Sequence, residues 1–360
     1  MEKQKIIVGL SGGVDSSVAA YLLKEEGYEV IGVTMVNFRE KSLPENAAGS
    51  QQEMTEDAKR VADFLGIAHY VADLCSEFKE YIIDYFINEY LSGRTPNPCV
   101  VCNRYIKWKA IMEQGEKLGA RLIATGHYAQ VEQLANGRYA LKCSVTAEKD
   151  QTYALYGLTQ EQLSGTRLPL GKYTKDQIRE IAERIGIPVA KKPDSMEICF
   201  IPDKDYAKFI EENTDAPIPK GNYVNAKGEI LGQHQGITHY TIGQRKGLNL
   251  AMGHPVFVSR ICPETNEVVI GENEDIFHSA LYCSHLNAMS VTEFADGMEV
   301  TAKIRYNHRG ATAVLQRAGD DRLLVRFLEP QRAITPGQAV VFYQDGHVAG
   351  GGIIETPVKE

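Results

Sequence analysis

No run of about 18 apolar residues occurs anywhere in the 360 residues, so no membrane-spanning helix is expected. The opening Met1-Glu2-Lys3-Gln4-Lys5 leads into only a short apolar stretch before Ser11-Gly12-Gly13, too brief for a secretory signal. A cytoplasmic location is the expectation. An excess of positive charge is also missing: 39 Lys and Arg face 47 Asp and Glu, a formal charge of −8. That excludes a broadly basic, non-specific polyanion binder and leaves room for a local basic path. Cysteines number seven, an odd count in a long chain, which argues against a disulfide framework. There is one Cys-x-x-Cys, Cys99–Cys102, but no second one and no paired histidine motif, so a closed structural zinc site is not expected. Internal repeats and low-complexity tracts are absent.

What remains is an ordinary globular composition, 43% hydrophobic and 24% charged, long enough for two or three domains. Lys5–Leu10 has the look of a buried strand, Glu29–Val36 of a second apolar strand, and His69–Ala72 and Arg121–Thr125 of further short strands. Between them lie helical patterns such as Val18, Ala19, Leu22 and Leu23, or Ala58, Val61, Ala62 and Leu65. A polar loop is expected over 41–52 and a further helix over Phe78–Leu91. This alternation predicts an α/β N-terminal domain, Rossmann-like, with a parallel sheet. Thr174 and Gln177 form a capping-box signature before Ile178, Ile181, Ala182 and Ile185. After Phe200 the pattern turns to short alternating runs: Gly236–Ile242, Pro255–Ser259, Glu267–Ile270, Ala311–Leu315 and Leu323–Phe327. These predict β-strands at short spacing, as in small barrels or sandwiches, with boundaries near 205 and 280.

The sharpest local signal is Gly9-Leu10-Ser11-Gly12-Gly13-Val14-Asp15-Ser16-Ser17, between a strand and a helix. Adjacent glycines let backbone approach a ligand, and helix-start amides with the Ser11 and Ser16 hydroxyls make an anion cradle. The lysine of a Walker A loop is missing, and the spacing is not Gly-x-Gly-x-x-Gly. By composition alone the stretch is also compatible with a plain glycine turn. Ser-Gly-Gly-Val-Asp-Ser resembles the PP-loop of ATP pyrophosphatases, which implies cleavage of ATP to AMP and pyrophosphate with adenylation of a substrate oxygen.

Two cysteine settings stand apart. Thr95-Pro96-Asn97-Pro98-Cys99-Val100-Val101-Cys102-Asn103 is a Pro-stiffened loop feeding a helix, with Asn103 as the expected N-cap. Arg94, Arg104, Lys107 and Lys109 surround it and no carboxylate lies between Leu91 and Met112. Cations and a helix start both favour thiolate, and the same cations suit an RNA backbone. A solvated basic helix face with a half-buried cysteine is the plainer reading. Cys199, in Asp194-Ser195-Met196-Glu197-Ile198-Cys199-Phe200-Ile201, has neighbours that equally suit a packed strand cysteine. Cys99, Cys102 and Cys199 together also match a three-thiolate [4Fe-4S] site with one iron open. Cys75, Cys143, Cys262 and Cys283 have no such setting.

These motifs, with Ala124–Ala129, Lys149–Tyr153 and Tyr240–Leu248, occur in one order and resemble the tRNA-specific 2-thiouridylase family over essentially the whole chain. The resemblance implies an N-terminal PP-loop domain (1–205), a small, mainly β central domain (206–280) and a C-terminal, tRNA-contacting β-barrel (281–360), and an ATP-dependent sulfurtransferase that makes 2-thiouridine at the wobble position of tRNAs for Lys, Glu and Gln. It implies that Gly9, Leu10, Ser11, Gly12, Gly13, Val14, Asp15, Ser16, Met35 and Gly126 bind ATP, with Mg²⁺. It sets Asn97, Pro98 and Cys99 against the target base, and His127, Lys149, Asp150, Gln151, Arg305, Tyr306 and Gln338 on tRNA. Cys102 corresponds to the nucleophile and Cys199 to the persulfide carrier, charged by a cysteine desulfurase or a sulfur-relay protein. A Cys102–Cys199 disulfide follows if hydrosulfide is released between them. Many members of the family carry Asp where this chain has Cys99, which removes a carboxylate acid/base group. Left to themselves, the residues of Lys303–Arg309 also fit a charged strand edge, and His127 a histidine bonded at a strand end. The competing functions are a PP-loop amidating synthetase and a non-catalytic tRNA-binding or iron–sulfur protein.

Overall fold

The computed structural model describes residues 3–38, 50–194 and 198–359. Most of the polar loop expected at 41–52 and Ser195–Glu197 of the second cysteine motif fall outside them. Two compact units emerge. The first comprises Met1–Ile82, Cys99–Met196 and Asp345–Val348; the second comprises Ile83–Pro98, Glu197–Gln344 and Ala349–Glu360. No helix among the described residues is long and apolar enough to cross a membrane.

Strands of the first unit are β1 (Lys5–Gly9), β2 (Glu29–Val36), β3 (Ala68–Asp73), β4 (Leu122–Ala124), β5 (Gln130–Gln133), β6 (Tyr139–Lys142) and β7 (Thr166–Arg167). Five of them form a sheet in the order β3-β2-β1-β4-β7, every neighbouring pair parallel. Ile6, Ile7 and Val8 of β1 are wholly buried, as expected for a parallel strand covered on both faces. On one face α1 (Val14–Glu25), α2 (Gln51–Leu65) and the helix Lys175–Ile185 pack Val18, Ala19, Leu23, Ala58, Val61, Ile178 and Ala182 against it. The capping box expected at Thr174 and Gln177 is formed in both directions. β5 and β6 pair as an antiparallel hairpin. A doubly wound α/β domain is therefore what the first part of the chain builds.

The second unit holds a four-stranded sheet and a barrel. The sheet is β8 (Gly221–Val224), β9 (Ile230–His234), β10 (Phe257–Cys262) and β11 (Glu267–Gly271), ordered β10-β11-β8-β9. Its core is Tyr223, Tyr240, Leu248, Val256, Val258, Val268 and Ile270. The barrel strands are β12 (Phe277–Ala288), β13 (Glu299–Lys303), β14 (Ala311–Gly319), β15 (Arg322–Arg332), β16 (Ala339–Gln344) and β17 (His347–Val358). They run β12-β15-β14-β13-β16-β17, and β17 pairs back onto β12 to close the ring. Closure leaves no free edge in the circuit.

Three local expectations are corrected. Gly236–Ile242 is not a strand: Gly236 takes φ 140°, and i→i+3 bonds from His239 and Tyr240 wind Ile237–His239 into a 3₁₀ turn. The strand expected at Pro255–Ser259 starts at Phe257 and runs on to Cys262. Asn103 is not an N-cap. The helix begins at Pro98, turns π-helical over Asn103–Lys107, and continues as α-helix to Leu118.

Candidate functional site

The Ser11–Ser17 segment leads from β1 into the first turn of α1. Gly13 is the N-cap of α1 but has no side chain to offer, so the first amides of the helix have no side-chain cap. Gly12 takes φ +67°, and a Cβ there would lie 2.3 Å from the Met54 carbonyl oxygen. Ser16 Oγ accepts from the Ser11 amide at 3.1 Å and donates to the Gly13 carbonyl at 3.2 Å. Ser17 Oγ donates to the same carbonyl at 2.7 Å. Gly126 closes in from the end of β4: a Cβ there would sit 2.7 Å from the Ser16 nitrogen. Thr34 Oγ1 ties β2 to the loop by donating to the Leu10 carbonyl at 2.9 Å. Met35 follows it on β2, half-buried. The ten residues expected to hold nucleotide thus gather on β1, β2, the start of α1 and the end of β4.

A charged network joins this loop. Asp15, in the first turn of α1, accepts from Tyr128 Oη at 2.8 Å and from Lys175 Nζ at 2.8 and 2.9 Å. Lys175 also pairs with Asp194 at 2.7 Å, and Asp194 takes Lys149 at 3.1 Å and Arg179 at 2.9 Å. Burial pushes the Asp194 carboxyl up, but the Lys175 and Lys149 ammonium groups outweigh it and hold the group below the usual carboxylate range. Burial and the Asp15 charge push the Tyr128 phenol up, so it stays protonated as a donor. Behind the loop, Asp57 is 2% exposed and bound by Lys192 and Arg60. Burial raises its carboxyl, and these two cations overcome that and lower it.

Cys102 is 5% exposed, and burial raises its thiol to about 11, with Lys107 offsetting only part of this. The expected thiolate is therefore a thiol here, because burial outweighs the neighbouring cations. Cys99, on the first turn, is exposed. Asn103 Nδ2 donates to the Ala154 carbonyl at 2.9 Å. His127 is held through Nδ1 to Thr125 Oγ1 at 2.7 Å and tilted against Trp108. Burial, with Lys107, lowers its imidazole to about 3, so the ring is neutral. Asp150 accepts from the Ser144 amide at 2.7 Å, and Gln151 Oε1 from the Tyr128 amide at 2.8 Å.

In the second unit, Cys199 sits exposed in a turn, not packed in a strand. Its neighbours Phe200 and Ile201 are the buried ones, Phe200 meeting Phe86 and Phe209 at 5.6 and 5.2 Å. None of the seven cysteines is in a disulfide. The segment ahead of Asn97 and Pro98 is clamped: Gln338 Nε2 donates to the Thr95 and Pro96 carbonyls at 2.8 and 3.2 Å. The Thr95 amide donates to the Pro336 carbonyl at 2.9 Å, and Thr95 Oγ1 meets Thr241 Oγ1 at 3.2 Å. On the barrel, Arg305 lines a cavity of about 640 Å³ with His308, Arg309 and Gln331, and its guanidinium donates to the Arg332 carbonyl at 3.0 Å. Tyr306 beside it is 40% exposed.

Residues 4–203 match the model of the tRNA methyl transferase HUP domain, 207–272 that family's PRC-barrel domain, and 278–354 an aminomethyltransferase beta-barrel domain. Over 354 residues the chain is 58% identical to the tRNA-specific 2-thiouridylase MnmA of Lachnoclostridium phytofermentans, covering 98% of this chain and 99% of that protein. The chain belongs to the MnmA family. The MnmA protein of Clostridium perfringens is 51% identical over 358 residues, 99% of each chain. Among solved structures, the U34-tRNA thiolase NcsA from Methanococcus maripaludis with its [4Fe-4S] cluster overlays at a TM-score of 0.34 and 19% identity, over 58% of this chain and 66% of that one, a likeness too small to carry an argument.

For this MnmA family member, sequence reasoning missed Lys175, Asp57, Lys192 and Thr34. Lys175 had a signal, since the capping box fixes it as the first residue of a helix. The others are brought in only by tertiary packing.

Proposed function

We propose that the chain is an ATP-dependent tRNA sulfurtransferase that converts the wobble uridine of tRNAs for Lys, Glu and Gln to 2-thiouridine in the cytoplasm. The observation that carries this is the 58% identity, across nearly the full length of both chains, to a protein named tRNA-specific 2-thiouridylase. Three domains, 1–205, 206–280 and 281–360, divide the work, in keeping with the limits of the three family models.

ATP binds at the Ser11–Ser16 cradle, and Mg²⁺ supplies charge neutralisation on its phosphates. The uridine C2 oxygen is a poor leaving group. Its attack on the α-phosphorus forms an O–P bond and releases pyrophosphate, which makes C2 electrophilic and turns the departing group into AMP. The base must leave its stack to reach that position, against Asn97, Pro98 and Cys99. Sulfur arrives as a Cys199 persulfide made by a cysteine desulfurase or a sulfur-relay protein. In one route the Cys102 thiolate attacks Cys199, releasing hydrosulfide toward C2 and leaving a Cys102–Cys199 disulfide. In the other the Cys199 persulfide attacks C2 and AMP departs, after which the Cys102 thiolate attacks Cys199 Sγ, freeing the 2-thiouridine and leaving the same Cys102–Cys199 disulfide. Both routes require Cys102 to lose the proton that burial holds on it. Lys149, Asp150, Gln151, His127, Arg305, Tyr306 and Gln338 serve tRNA binding, the first four through the surface they shape as much as through direct contact.

Among the described residues no three His, Cys, Asp or Glu side chains converge on a metal position. No step is assigned to a cluster on Cys99, Cys102 and Cys199. Iron stoichiometry after anaerobic purification checks this separately.

The test is incubation of the purified chain with ATP, Mg²⁺, cysteine, a cysteine desulfurase and unmodified Lys, Glu or Gln tRNA, read by nucleoside mass spectrometry. ATP-dependent 2-thiouridine is the expected product. AMP formation from ammonia without tRNA would favour an amidating synthetase, and tRNA affinity without AMP formation a binding protein.

A further inference from the structure

The phosphate loop has no lysine of its own, and Asp15 puts a carboxylate in the first turn of α1 beside the cradle. An anion bound there would meet amides, hydroxyls and one like charge. The fold brings in a cation from elsewhere. Lys175 Nζ lies 2.8 Å from Asp15 Oδ1, 2.9 Å from Asp15 Oδ2 and 2.7 Å from Asp194 Oδ1, with its side chain only 11% exposed. Its placement is over-determined. The Thr174–Gln177 capping box fixes the helix start, and Ile178 and Ala182 seat that helix in the α1 core. Other cations nearby are occupied differently. Lys192 and Arg60 hold the buried Asp57 behind the loop, while Lys149 and Arg179 pair with Asp194.

We propose that Lys175 is the pyrophosphate-binding cation of the ATP site, doing from a separate helix what a Walker lysine does from within its loop; this rests on the reading that the Ser11–Ser16 loop binds ATP. An ammonium on a flexible stem has three donors, so Lys175 exchanges one carboxylate contact for a β- or γ-phosphate oxygen without backbone movement. When the α–β bond breaks, negative charge grows on the departing pyrophosphate. A nearly buried cation there stabilises that charge more than the substrate's. Asp15 and Asp194 hold the ammonium in line for it, and Asp194 keeps two further cations of its own.

The full chain is titrated calorimetrically with Mg²⁺-ATP, Mg²⁺-pyrophosphate and AMP, as wild type, Lys175→Arg, Lys175→Gln and Asp15→Asn/Lys175→Gln. Lys175→Gln is expected to weaken ATP and pyrophosphate by about tenfold or more, the loss of one charge-assisted contact, while AMP changes by less than about twofold. Lys175→Arg should recover part of the loss, and the double variant, in which Asp15 no longer needs a counter-charge, should stay weak. ATP affinity unchanged in Lys175→Gln overturns the proposal. So does recovery in the double variant, which would reduce Lys175 to a neutraliser of Asp15, and so does an equal loss for AMP, which would mark a collapsed site. A wild type that binds no ATP removes the loop reading itself.

Discussion

Cys102 carries the sharpest conflict between chemical expectation and surroundings. Basic neighbours favour a thiolate, yet burial dominates and raises the thiol to about 11. In the protein without tRNA, iodoacetamide at neutral pH should therefore label exposed Cys99 at least about tenfold faster than Cys102, since the thiolate is the reacting species. Peptide mass spectrometry over a time course reads this, and faster labelling of Cys102 would contradict it. Asp57 gives a second residue-scale prediction. Its folded carboxyl is lowered, so its ion pairs stabilise the fold above the ordinary value of 3.8 and that stability is lost as pH falls through the folded value. Lys192→Met should cost about 3 kcal/mol near pH 7, with a smaller deficit in acid, checked by urea unfolding at several pH values. The loop residues Gly9–Ser16 were legible because they are contiguous. Lys175 with Asp15, and Lys192 with Asp57, lie 160 and 135 positions apart in sequence, and no local pattern pairs them.

Among the elements, the helix from Pro98 to Leu118 was misjudged at its start. Asn103 looked like a cap because cap-forming residue types also occur inside helices when their side chains find other partners. Here Asn103 is buried, reaching Ala154, and marks a π-helical segment instead. Pro98 at the first helical position was the better signal. Such π segments concentrate at functional sites, and this one directly follows Cys102. The parallel strands were legible because β1 and β2 are unbroken apolar runs, while the Gly236 turn was not, since alternation survives in a 3₁₀ turn that buries Thr238 and Tyr240. At β4, Gly126→Ala would press a methyl onto the Ser16 nitrogen and Asp15 carbonyl carbon at 2.7 and 2.8 Å. The expected result is loss of ATP binding by about tenfold or more with a melting temperature shifted by only a few degrees. Unimpaired ATP titration would show that the gap between β4 and α1 is not needed.

For the molecule as a whole, the family resemblance implied the small β domain and the barrel, while the α/β start and the change to short β-strands after Phe200 could be read from composition and spacing. Ring closure of β17 on β12 and the clamp on Thr95 could not, since both join segments far apart in sequence. Gln338→Ala removes two hydrogen bonds from that clamp and should raise the KM for tRNA more than it changes ATP affinity; steady-state kinetics with each substrate varied checks the split. Arg305→Ala on the barrel should flatten the salt dependence of tRNA binding by about one unit, and an unchanged slope would remove the barrel from the contact.

Isotope transfer is the most direct test of the central claim that ATP activates the uridine C2 oxygen. tRNA carrying ¹⁸O at C2 of the wobble uridine is thiolated in ordinary water, and the AMP is weighed. Adenylation of that oxygen predicts one ¹⁸O in AMP for each 2-thiouridine formed. Unlabelled AMP, with the ¹⁸O released to water or retained in tRNA, would contradict it.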